Sequence, residues 1–278
     1  KTIERLATIF KDIRESLKDT VIRKNIVEDG NVEAVNKLRL GSGKKFLGQA
    51  RIMLQRDFKD VYDASFKQAK QEIKKLQKDQ NFARVSDLQV RSREAKKISE
   101  ELINERAFQA VGNLNEDLLS KSKTALLNGI EQGSSTAEVI QELDDIFNPV
   151  IEGTSSEGLT SEPALLETIV RTNYTNIYNQ ARLSVAKSPD LGGFVEMLEY
   201  SAILDSRTTE ICERLDGKIY KVDDPIWNRI SPPNHFNCRS RLVYVTEFDV
   251  KDDDISPSKE PNINSLKELP GTKKFLGA

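Results

Sequence analysis

The single histidine of this 278-residue chain and both of its cysteines lie within 27 positions, Cys212 to Cys238. They stand in two runs, Leu204-Asp205-Ser206-Arg207-Thr208 followed by Cys212, and Pro232-Pro233-Asn234-His235-Phe236-Asn237-Cys238-Arg239-Ser240. Three chemistries are open to such a set. Cys212, His235 and Cys238 are ligand types that zinc favours, and Asp205, placed ahead of the helix expected to carry Cys212, is a candidate fourth. A hydrolytic pair, Cys238 as nucleophile and His235 as base, needs the two side chains to face each other from one loop, and no oxyanion hole is marked. The third is a structural polar core: Cys212 and Cys238 as buried thiols or a disulfide, His235 hydrogen-bonded to Asp205, and Arg207 and Arg239 balancing carboxylates. The structural role is the expectation, and no catalysis is expected. The stretch Lys218 to Asn237 has few apolar groups besides Ile219, Val222, Ile226, Trp227 and Ile230, so a polar or metal tie to the Cys212 helix would hold its far end.

The elements that must position this cluster read as follows. Phe194–Tyr200, Lys218–Tyr220 and Arg241–Val245 are short apolar runs with strand character, and Asp216-Gly217 makes a turn between helix and strand. Asp205-Ser206 is expected to cap a helix over about 207–215. Upstream, the sequence is helical. Apolar stripes at three- and four-residue spacing predict helices over 2–28, 44–79, 84–111, 114–129, 137–147 and 163–187, with a short helix after Asn31. Ser135 or Thr136 caps the fifth of the long ones, with Glu138 in its first turn. Residues 148–161 read as a loop. Gly41-Ser42-Gly43-Lys44-Lys45 lacks the first glycine and the final hydroxyl of a phosphate loop, because Leu38 and Lys45 stand there, and reads as a hinge. The pentapeptide Lys-Lys-Phe-Leu-Gly occurs at 44–48 and again at 273–277, and is too short to be a structural repeat.

Hydrophobic residues make up 37% and charged residues 31% of the chain, which favours long exposed helices over a compact α/β enzyme. The expected fold class is α+β, with a helical arm region over 1–130, a small mixed domain over 131–248 and an extended tail over 249–278. The net charge of −2 divides unevenly, +8 over residues 1–130 and −10 over the remainder. The basic half, with Lys67, Lys70, Arg91, Arg93 and Lys96 between the stripes, allows weak, salt-sensitive DNA contact as well as ordinary solvation. No run of the ~18 apolar residues that a membrane span needs is present, and no signal-peptide pattern is visible. The chain starts at Lys1 rather than Met, as a piece of a longer protein would. Two cysteines without secretory features fit assembly in a reducing cytoplasm.

Asp205, Arg207, Thr208 and Cys212 followed by Pro-Pro-Asn-His-Phe-Asn-Cys-Arg-Ser resemble the C-terminal domain of the Mu-F-like phage minor head proteins, also called phage head morphogenesis proteins. The resemblance runs upstream through Ile169-Val170-Arg171-Thr172 and covers roughly 120–248; it departs from the family pattern at Asn173, where an acidic residue is expected. It implies an α+β domain in which Arg171 and Thr172 approach the cluster. It also implies assembly with the portal protein and other head proteins, residence in the virion head interior after assembly in the host cytoplasm, and a role in head morphogenesis or DNA delivery. A virion-carried nuclease or transferase, and an internal DNA-binding protein, are the competing readings.

Overall fold

The computed structural model describes residues 2–40, 44–79, 92–152, 165–188, 194–246 and 248–249. Among them are eight helices: α1 (Thr2–Arg23), α2 (Val32–Asn36), α3 (Lys44–Asp79), α4 (Ser92–Gln132), α5 (Thr136–Ile151), α6 (Leu165–Ala186), α7 (Glu210–Leu215) and α8 (Trp227–Ile230). Three strands, β1 (Met197–Ser201), β2 (Lys218–Lys221) and β3 (Arg241–Val245), form an antiparallel sheet of order β2-β1-β3. The fold is α+β, with long helices first and the small sheet last. The glycine hinge at 41–43, the start of the helix expected from 84, most of the 148–161 loop and the tail beyond 249 lie outside the described residues.

The described chain divides into two compact units, one from Lys1–Asp57 and Asn104–Val170, the other from Phe58–Ile103 and Arg171–Ala278. Helices α3, α4 and α6 each contribute residues to both.

In the first unit α1 lies against α5. Leu6, Phe10, Ile13, Leu17 and Val21 form the buried stripe of α1, and Val139, Leu143, Phe147 and Val150 that of α5. Helix α1 stops at Arg23, short of the expected 28, because Asn25 takes a left-handed φ of 43°. The Ile26 amide then donates to the Val21 carbonyl at 3.1 Å and the Asn25 amide to that of Ile22, closing a Schellman turn over the buried Val21–Ile26 pair. The break expected between 111 and 114 does not occur, and α4 runs through it. Buried Ile103, Ala107, Leu114, Leu118 and Ala125 keep the four-and-seven spacing of one face, which outweighs the ~1 kcal/mol that Gly112 costs. Gly133 ends α4 at φ 69°, and Ser135 opens α5 with a capping box: its hydroxyl accepts from the Glu138 amide and the Glu138 carboxylate accepts from the Ser135 amide. Helix α5 continues past the expected 147 to Ile151. Pro149 sits in the last turn, and burial of Val150 and Ile151 favours the extra turn.

In the second unit one face of the sheet carries Leu198, Tyr200, Tyr220, Leu242 and Tyr244 into a core shared with Val185, Ile211, Leu215, Trp227 and Ile230, and with Ala69 and Ile73 of α3. Leu198 pairs with Tyr220 on one side and Tyr244 on the other, which fixes the register. The segment after β2 is better anchored than its composition suggests. Ile219, Val222, Ile226, Trp227 and Ile230 are all buried; Trp227 meets Tyr220 edge-to-face at 5.6 Å and donates its indole N–H to the Lys221 carbonyl at 2.8 Å. The short helix α8 forms here, in a stretch for which no helix is predicted from the sequence.

Candidate functional site

Helix α7 begins at Glu210, three residues later than its expected start, behind Thr209. The Asp205 side chain does not cap it. Asp205 instead folds its own turn, accepting the Arg207 amide at 2.9 Å, while the Thr208 hydroxyl accepts the Asp205 amide at 2.8 Å and donates to the Ile203 carbonyl. Two residues into α7, Cys212 points into the core and is 3% exposed. His235 and Cys238 approach from the other side on the loop after α8. Asn237, between them, takes a left-handed φ of 55°, a conformation asparagine tolerates.

The three ligand-type side chains come together. Cys212 Sγ lies 3.1 Å from His235 Nε2 and 3.8 Å from Cys238 Sγ, and all three ligating atoms fall within 4.8 Å of one another. His235 Nδ1 is 2.7 Å from the Phe236 carbonyl, so that nitrogen carries a proton and donates it, leaving Nε2 facing the sulfurs. The Tyr200 hydroxyl stands 3.2 Å from Cys212 Sγ and accepts from the Asn234 side-chain amide at 3.0 Å. The thiols are free and not joined as a disulfide.

Charge is unevenly shared in this buried group. The hydrogen bond from Cys212 lowers the Cys238 thiol to about 6; burial opposes this, and the amides of Ser240 and Asn234 assist it. The same bond, with burial, pushes Cys212 up to about 12. The two thiols are coupled, and the bond between them favours loss of the first proton from Cys238. Burial works against the His235 imidazolium, but the Cys212 sulfur and the Phe236 carbonyl outweigh it and raise its pKa.

Asp205 does not join the cluster, neither as a fourth ligand nor as a partner of His235. Its two oxygens take the Arg239 guanidinium at 2.5 and 2.7 Å, a bidentate pair across the outside of the same two loops. That bond first, and the Arg207 amide next, hold its carboxyl well below the usual carboxylate range. The Arg207 guanidinium is 78% exposed and only 4.0 Å from Asp205. Nor do His235 and Cys238 form the hydrolytic pair as drawn from sequence: the sulfur in hydrogen-bond contact with the imidazole is that of Cys212.

Sequence reasoning placed Thr172 near the cluster but missed the rest of the α6 face that holds the loop. Thr172, buried, accepts the Asn237 amide at 3.0 Å; Thr175 donates to the Cys238 carbonyl at 2.9 Å. Asn179 donates to the Ser240 carbonyl at 3.2 Å and accepts the Leu242 amide at 2.8 Å. Arg182, 2% exposed, donates Nε to the Leu242 carbonyl at 2.6 Å, lies 4.2 Å over the Tyr244 ring and pairs with both Glu72 oxygens at 2.8 and 2.9 Å. The signal was there as four polar residues spaced three, four and three apart, one helical face. Arg171, expected to approach with Thr172, is exposed.

The family model described as Phage Mu protein F like protein matches residues 120–243, which include the α6 face, the Asp205 turn and the His235–Cys238 loop. Residues 120–243, a little under half of the chain, are similar to the phage Mu F-like family. The Mu-like prophage FluMu F protein of Haemophilus influenzae is 30% identical over 152 residues, 52% of this chain and 36% of the relative. The putative capsid assembly protein F of Escherichia phage Mu is 24% identical over 183 residues, 62% of this chain and 41% of the relative. The matched segment thus spans about two fifths of these Mu F-like proteins. No solved structure matches the chain. Among the described residues no helix is long and apolar enough to cross a membrane.

Proposed function

We propose that this chain is a minor head protein that takes part in phage head morphogenesis, as a structural component and not as a catalyst. The observation that carries the reading is the Mu F-like match over 120–243, together with a curated relative named as a capsid assembly protein. The geometry supports a structural role for the cluster. Cys212, His235 and Cys238 are 3%, 7% and 2% exposed, and the contacts of Cys212 with His235, Cys238 and Tyr200 tie α7 to the loop after α8 and to β1 of the same unit. The finer reading is that it binds the portal and other head proteins, is assembled in the host cytoplasm, resides in the head interior, and assists DNA delivery. Its 1–130 region then serves as a helical arm and 131–248 as the head-morphogenesis domain.

The test is a nonsense allele in the phage that encodes the chain. Heads purified from the parent should contain the protein, seen by mass spectrometry. Lysates of the mutant should show fewer complete heads by electron microscopy, or heads of much reduced infectivity, restored by supplying the gene in trans. Parent particles that lack the protein, with mutant particles normal in number and infectivity, would remove the reading.

A further inference from the structure

We propose that Cys212, His235 and Cys238 bind one zinc ion, which clamps α7 to the loop following α8. Three independent features of the geometry point there. The first is spacing. Two sulfurs on a tetrahedral zinc at ~2.3 Å stand about 3.8 Å apart, whereas a disulfide requires about 2.05 Å. The Cys212 and Cys238 sulfurs are 3.8 Å apart.

The second is the histidine. With Nδ1–H committed to the Phe236 carbonyl, the neutral ring presents a lone pair on Nε2, and that nitrogen faces the sulfurs. A ligating histidine is held in this way, by a carbonyl that fixes tautomer and ring plane. The third is charge. Two thiolates and a neutral imidazole cancel a doubly charged cation, so the loaded site adds no net charge to a core where each of the three residues is under a tenth exposed. Ring and sulfurs belong to soft and borderline donors, which select zinc over magnesium or calcium.

The fourth position falls to the Tyr200 hydroxyl, which stands 3.2 Å from Cys212 Sγ, or to a water. Asp205 is not a ligand, because both its oxygens are engaged by Arg239 on the exposed side of the loops.

The experiment uses the full chain, purified without metal-affinity steps. Elemental analysis should find one zinc per chain. After chelation, titration with cobalt should give the visible bands of a tetrahedral site and a thiolate-to-cobalt charge-transfer band, saturating at one equivalent and abolished by added zinc. Removing a ligand by His235→Ala or Cys238→Ser should weaken zinc binding by more than the ~10–100-fold typical of outer-shell losses, whereas Asp205→Asn should leave one zinc bound. The cobalt titration needs no variant, so a ligand variant that fails to fold does not shield the proposal. Folded wild-type protein with no zinc and no cobalt bands would overturn it. So would an intact mass short of two hydrogens, which marks a disulfide, or an Asp205→Asn protein that loses its zinc.

Discussion

Truncating Asn179 tests the idea that the polar face of α6, more than apolar packing, holds β3 in place. Asn179 is fully buried and serves two backbone groups of the outer edge of β3, the Leu242 amide and the Ser240 carbonyl. Asn179→Ala removes both partners without opening a path for water. Each buried group left unpaired costs roughly 1–3 kcal/mol, so the sum is about 2–6 kcal/mol. Its third bond, to the Thr175 carbonyl, adds little, since that carbonyl already faces the helix ladder. Against a total stability of ~5–15 kcal/mol this is a large fraction. The melting temperature should fall by at least about 4 °C, at roughly 2–4 °C per kcal/mol for a unit of this size. The assay is urea unfolding followed by tyrosine and tryptophan fluorescence, paired with hydrogen exchange at the Leu242 amide. Lys187→Ala, an exposed change just past α6, is the reference and should stay within about 0.5 kcal/mol. A loss below about 0.5 kcal/mol in Asn179→Ala, with Leu242 protection unchanged, would refute the reasoning.

Two further predictions follow from the charged pairs. Glu72→Ala leaves Arg182 buried against the Leu242 carbonyl, Tyr178 and the Tyr244 ring, with no carboxylate; because Glu72 is itself 34% exposed, the loss should be nearer about 2 than the ~3–5 kcal/mol of a fully buried pair. Arg182→Met added to Glu72→Ala should recover part of that loss in a double-mutant cycle on urea midpoints, and a purely additive double variant would contradict the pairing. Asp205→Asn tests the exposed pair with Arg239. Its folded pKa is depressed, so its contribution is present above the unfolded value of ~3.9 and fades as pH falls below it. The gap in melting temperature between wild type and Asp205→Asn should therefore be steady from neutral pH to about 5 and close in stronger acid, and a gap that widens there would be inconsistent with the pair.

Much of the helical framework was legible because an apolar stripe persists only where a helix buries it. The bounds of α3 are those its stripe predicts, 44 to 79. Where the reading failed, a local breaker was given more weight than the face it interrupts: Gly112 within α4, and Asn148-Pro149 at the end of α5. The meeting of Cys212 with His235 and Cys238 was legible because the chain offers no other residues of these types. Asp205 was misplaced because a carboxylate near a cluster can serve the cluster or an arginine, and spacing alone does not choose. Arg239, one residue beyond Cys238, is on the outer side of the loop and takes it.

The α6 face was hidden by the assumption that a helix turns its apolar side inward. Leu166, Val170 and Ile177 do so, yet Thr172, Asn179 and Arg182 are buried as well. The reason lies in what they meet. The sheet order leaves one side of β3 without a strand partner, and a buried edge needs donors and acceptors that leucine cannot supply. The two run alongside each other: ten residues of helix from Thr172 to Arg182 rise about 15 Å, and the residues they face run from the Asn237 turn through 238–240 into β3. Contacts made at 172, 175, 179 and 182 therefore land in order on 237, 238, 240 and 242. Apolar packing would permit a slip of one residue; these bonds do not. A slip would carry Cys238 out of its place beside Cys212. The polar face of α6 is thus what sets the spacing of the two sulfurs, and loss of Asn179 should lower zinc retention as well as stability, though no ligand has been touched.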